Sequence, residues 1–179
     1  MTRFLILLLV VVQISVSPAF AEWSEPVEVR MGDELCVTYQ SRLVGDRLVI
    51  RVTPAEGWHT FTMDNERRAK EALQGKMALG VDGPTVFTLG AGIEPAGEWS
   101  QSPPKDFSKP DLRWYSWGYE DPAVFAVEVR KGAGKAAVIG VRGQACDATR
   151  CKNIDVEWAQ SLAADDGPAE LGELIPVER

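Results

Sequence analysis

Histidine is the scarcest reactive residue in this chain: His59 is the only one in 179 residues. A zinc site built on several imidazoles is therefore excluded. Cysteine is nearly as rare. There are three, so one thiol stays unpaired within a monomer if the other two bridge. Positive charge is in deficit, with 19 Lys and Arg against 26 Asp and Glu and a formal net charge of −7. That balance argues against nucleic acid or an anionic membrane as a partner. After Ala21 no apolar run approaches the ~18 residues that a bilayer-spanning helix needs. Internal repeats, a glycine-rich phosphate loop and basic clusters are missing as well.

What is present begins with residues 1–21, which read as a secretory signal. Arg3 supplies the positive start, residues 4–12 the apolar run, and Ala19-Phe20-Ala21 a small-x-small cleavage site. Cleavage after Ala21 would expose Glu22 rather than a cysteine, which argues against lipid attachment at a new N-terminus. Residues 22–162 are then one domain with room for a real core. Residues 163–179 are acidic and rich in small side chains, the composition of a loosely held tail.

Within the domain the periodicity is that of strands. Leu35, Val37 and Tyr39 alternate with Cys36, Thr38 and Gln40, and Leu48, Ile50 and Val52 follow after a Gly45-Asp46 turn signal. Cys36 falls out of phase with the apolar set and is expected on the opposite face, a small structural residue. His59 stands in a further short strand and is read as structural. Residues 65–75 predict the one helix, with Asn65 as its cap and Gly75 as its stop. Strands are expected over 85–89, 124–129, 136–141 and 156–162. Between them, residues 95–122 form a long loop broken by Pro103, Pro104 and Pro110. It carries Trp114, Tyr115, Trp117 and Tyr119, which serve either as anchors tying the loop to the sheet or as a lid over a functional surface. Many short strands with one short helix predict an all-β antiparallel sandwich.

The chemistry lies in residues 143–154, G-Q-A-C-D-A-T-R-C-K-N-I, where Cys146 and Cys151 stand close together at the end of a strand. A bridge closing so short a loop stabilises by only ~2 kcal/mol in the chain-entropy model, against ~5 for one closing a hundred residues. It is a weak staple, and its charged setting suits exchange chemistry; a purely structural bridge is the alternative. The close pair forms with least chain search, so the expected connectivity is Cys146–Cys151 with Cys36 free. Arg150 and Lys152 flank Cys151 and would favour its thiolate, while Asp147 beside Cys146 would disfavour ionisation there. Cys151 is thus read as the nucleophile and Cys146 as its resolver; alternatively, these charges merely solvate a turn. Cys36, Cys146, Cys151 and His59 together would make a Cys₃His metal set. Nothing in the sequence brings Cys36 and His59 to the pair, so neither metal nor cofactor is expected.

Gly57-Trp58-His59, Gly83-Pro84-Thr85, Trp99, Gly118-Tyr119-Glu120 and the run from Val141 to Cys146 with Cys151 follow one another in an order that resembles a known family. It is the N-terminal periplasmic domain of the thiol:disulfide interchange protein DsbD. The resemblance spans roughly residues 27–160. It departs after the Trp-His strand, where Asn65 opens a charged helix, and after the second cysteine, where Lys152-Asn153 stand in place of a nearby proline. The resemblance implies an immunoglobulin-like sandwich in the periplasm that relays reducing equivalents by disulfide exchange. Electrons would come from a thioredoxin-like partner or membrane-embedded reductase and pass to oxidised periplasmic proteins. Trp114, Tyr115, Trp117 and Tyr119 would supply a cap over Cys146 and Cys151. No membrane insertion of the mature chain is expected, and the partners would be other chains. The rival reading is a non-catalytic binding or scaffolding sandwich stapled by the same bridge.

Overall fold

In the computed structural model, residues 23–78, 80, 82–163 and 171–178 are described. The expected secretory signal lies outside them, as do 164–170 and 179 of the expected tail. The chain builds two antiparallel sheets packed face to face, the all-β sandwich expected from the strand periodicity. The first contains β1 (Val27–Met31), β2 (Glu34–Val44), β3 (Arg47–Pro54) and β10 (Ala123–Lys131). It is completed by the short strands β6 (Ile93–Pro95), β7 (Ser100–Gln101) and β13 (Ile175–Pro176). The second runs in the order β12 (Cys151–Ser161), β11 (Ala136–Cys146), β4 (His59–Phe61), β9 (Trp117–Tyr119) and β8 (Lys105–Asp106). There β5 (Val86–Leu89) also pairs with β11.

Alternation along each strand fills the space between the sheets with Val37, Tyr39, Ile50, Phe125 and Ile139, each wholly or almost wholly buried. At ~25 cal/mol per Å² of apolar surface, such side chains contribute roughly 1.5–3 kcal/mol each. The strand alternation places Cys36 away from this core, and the structure corrects that. Opposite Cys36 the pairing of β1 with β2 slips, Val29 facing Val37 and Arg30 facing Leu35. The extra residue of this bulge is Cys36 itself, and it lies in the inter-sheet core beside Val37 with no exposed surface.

Two further expectations shift. Residues 95–122 are less irregular than their prolines indicate, because β8 and β9 pair as a hairpin arm. Beyond them Phe107 N–H donates to the Ser116 carbonyl, and Lys109 N–H donates to the Trp114 carbonyl at 2.7 Å. A tight turn at Pro110–Leu112 closes the tip. The end of the chain also returns to the fold. Ile175–Pro176 pairs with Ser100–Gln101, Val177 is buried, and Val177 N–H donates to the Trp99 carbonyl. Apolar residues in this last stretch outweigh the acidic composition around them.

Asp64, not Asn65, stands at the N-cap position of the helix α1 (Asn65–Leu73), and its side chain makes no capping hydrogen bond. Asn65, fully buried, instead donates to the Asp82 carbonyl at 2.9 Å and accepts from Trp117 N–H at 2.8 Å. Its side chain ties the helix start to the hairpin arm. Beneath it, Asp64 holds Arg68 at 2.8 Å and accepts from Gln101 Nε2 at 2.8 Å.

Candidate functional site

β11 and β12 form an eleven-pair ladder from Ala136↔Ser161 to Cys146↔Cys151, so the two cysteines are the last facing pair before the turn. Facing positions on adjacent antiparallel strands bring side chains onto the same side at close range. Cys146 and Cys151 are joined by a disulfide, with Cα atoms 4.0 Å apart, and Cys36 is free. The expected connectivity is therefore what the structure shows. Strand alternation then decides which side of the sheet the bridge occupies. Ala145 and Ile154 point into the inter-sheet core, whereas Cys146 and Cys151 stand on the outer face, away from Cys36. One sheet separates the buried thiol from the bridge.

The turn 147–150 is held by one carboxylate. Asp147 Oδ1 accepts from Thr149 N–H at 2.7 Å and Arg150 N–H at 2.9 Å, and Asp147 Oδ2 accepts from Arg150 Nε at 2.8 Å. The Arg150 guanidinium and these turn donors hold the Asp147 carboxyl well below the usual range. Arg150 also pairs with Glu34, whose other oxygen accepts from Trp58 Nε1 at 3.0 Å. Arg150 is thus shared between two carboxylates. Lys152, facing Ala145 in the ladder, projects to the opposite side from Cys151.

Over the bridge lies a cleft of about 450 Å³ lined by His59, Asp82, Phe107, Lys109, Trp114 and the 146–151 turn. Cys146 is 3% exposed on its floor, while Cys151 is exposed at its edge. The hairpin arm roofs the cleft. Gly118 makes this approach feasible: a Cβ there would sit 1.9 Å from the Thr60 carbonyl oxygen, so only glycine lets β9 lie so close to β4. Of the four aromatic residues expected as a cap, Trp114 lines the cleft, its Nε1 donating to Asp82 Oδ2 at 2.8 Å. Tyr119 is placed otherwise. It is buried in the inter-sheet core, edge-on to Phe125, with its hydroxyl donating to the Ser102 carbonyl. Tyr115, ahead of β9, and Trp117, its first residue, are half-buried.

The roof has a second ring that sequence reasoning passed over. Phe107 packs on the His59 imidazole with ring centres 4.9 Å apart, and Phe61 meets the same imidazole edge-on at 5.3 Å. His59 itself faces Cys146 across β4 and β11. The sequence offered no reason to bring His59 to the pair; strand pairing does so. Burial pushes its imidazole below the ordinary value, against the opposing pull of Asp82, Glu120 and Asp147. The signal that was available is His59's place beside Trp58, at the start of a strand whose alternate positions face outward.

No family model matches the chain, and no curated protein matches it. Among solved structures, the chain is similar to the N-terminal domain of DsbD from Neisseria meningitidis, in the reduced form. The two share 12% identity at a TM-score of 0.47, over 78% of this chain and 89% of that one.

Proposed function

We propose that this chain is an exported, periplasmic thiol–disulfide exchange module working through Cys146 and Cys151. It relays reducing equivalents between a thioredoxin-like or membrane-embedded reductase partner and oxidised periplasmic proteins. The observation that carries this reading is the position of the bridge. It lies outside the sandwich core, at the end of a hairpin, on the floor of a cleft that opens to solvent beside Cys151. A bridge placed to staple the fold would gain more by joining distant segments.

Exposure supports Cys151 as the sulfur that meets the partner and Cys146 as its resolver. The partner's thiolate attacks the Cys151 sulfur, the Cys146–Cys151 bond breaks, and Cys146 leaves with the electron pair. A second partner thiol then attacks the mixed disulfide and releases Cys151, so two electrons enter the pair. The charges flanking Cys151 matter less to this assignment than the sequence implied, because Arg150 is engaged by Asp147 and Glu34 and Lys152 faces away.

The test is the equilibrium reduction potential of the pair in glutathione or dithiothreitol buffers, with exchange against a thioredoxin-like protein followed in parallel. A potential within the range of exchange proteins, roughly −120 to −270 mV, with rapid exchange is expected. A potential below about −300 mV without exchange would mark the bridge as structural and the domain as a binding or scaffolding sandwich.

A further inference from the structure

His59, Cys146 and Cys151 form one row across three adjacent strands. His59 faces Cys146 in the pairing of β4 with β11, and Cys146 faces Cys151 in the pairing of β11 with β12. All three line the same cleft. The inner sulfur of the pair is therefore flanked on one side by its disulfide partner and on the other by the only imidazole in the chain. Cys146 is nearly out of reach of solvent. A buried thiol that must ionise during exchange needs a neighbour to take its proton, and facing side chains on one sheet face lie within the range where this is feasible.

We propose that His59 is the proton acceptor for Cys146 in the resolving step, an inference that rests on the exchange reading above. The Cys151 thiolate attacks one sulfur of an acceptor disulfide, whose other sulfur leaves as a thiolate, producing a mixed disulfide. Cys146 then passes its proton to the His59 imidazole and attacks the Cys151 sulfur. The Cys146–Cys151 bond forms, and the acceptor's second sulfur departs with the electron pair and is protonated from His59 or solvent. Two electrons have left the pair, and the acceptor disulfide has become two thiols. In the opposite direction the imidazolium returns the proton to Cys146 as it leaves.

The surroundings suit this role. Phe61 and Phe107 hold the ring from two sides. Burial keeps the imidazole neutral at physiological pH, ready to accept a proton. The charged groups facing it are Asp82, Glu120 and Asp147, which would stabilise the imidazolium once formed, and Lys109, which opposes it; Arg150 lines the same cleft but is held by Asp147 and Glu34.

The experiment follows reduced protein reacting with dithiobis(nitrobenzoate), which releases one coloured thiolate on attack by Cys151 and a second when Cys146 closes the ring. Cys36, wholly buried, stays silent. His59→Gln should slow the second release by about a hundredfold or more and leave the first nearly unchanged. In the wild type the second release should titrate with the midpoint of the sole imidazole, measured independently by proton NMR, and that dependence should vanish in the variant. An unchanged second release in a folded variant overturns the proposal. If His59→Gln does not fold, a wild-type second release that ignores the imidazole midpoint overturns it equally. A wild type that shows no second release at all defeats the exchange reading itself, a result distinct from either.

Discussion

The two faces of the second sheet are built from the same strands and do opposite things. On its inner face, Trp58, Val141, Ala145 and Ile154 pack into the dry space between the sheets. On its outer face, one residue along, His59, Cys146 and Cys151 line a solvent-open cleft. The inner face is covered by a whole sheet and the outer one by a single hairpin arm with Phe107 and Trp114. The difference teaches that stability and chemistry are divided by strand parity here, so each can be perturbed with little effect on the other.

The largest effect should come from the core between the sheets, against which the inner face packs. Phe125→Ala empties a fully buried position in contact with Phe87 and Tyr119, and a loss of about 3–5 kcal/mol is expected from urea unfolding. In the fraction that remains folded, reduction of the bridge by a small thiol should keep its rate. A rate that rises with the loss of stability would mean the two faces are coupled.

Next comes acid. Burial alone would raise the Asp64 carboxyl, but hydrogen bonds from Arg68 and Gln101 outweigh it and hold it below its ordinary value. A depressed folded value contributes stability that is fully present above about pH 4 and lost as the pH falls through the folded value. Asp64→Asn should therefore be less stable than wild type at pH 6, with the gap closing towards pH 2. A constant gap across that range would show that the charge at Asp64 is not what holds the helix base to Gln101.

The outer face predicts the reverse pattern. Phe107→Ala with Trp114→Ala should speed reduction of Cys146–Cys151 several-fold while costing at most about 2 kcal/mol, because both rings border the cleft rather than the core. Unfolding without faster reduction would make the arm an anchor and end its role as a cap. The smallest effect is expected at Arg150, about half exposed and paired with Asp147 and Glu34. Arg150→Gln should leave stability nearly unchanged and the reduction rate within a few-fold. A large change in rate would restore Arg150 as a thiolate-tuning group.

Periodicity, turn signals and the spacing of two cysteines were enough to read the sandwich, the single helix and the Cys146–Cys151 pair, because each depends on neighbours close along the chain. Strand alternation and hairpin closure are local rules, and they hold wherever nothing interrupts them. Cys36 escaped because a one-residue bulge shifts its phase, and a bulge is decided by the partner strand. Asn65 looked like a helix cap, yet its side chain is claimed by Asp82 and Trp117, distant in sequence. Tyr119 and Trp114 share one aromatic stretch, but pairing with Thr60 sends the first into the core. Above all, His59 and Cys146 are far apart in the chain and become neighbours only because β4 pairs with β11. Composition and pattern determined which reactive side chains this protein has. Strand register, a long-range property of hydrogen-bonded backbone, decided which of them meet.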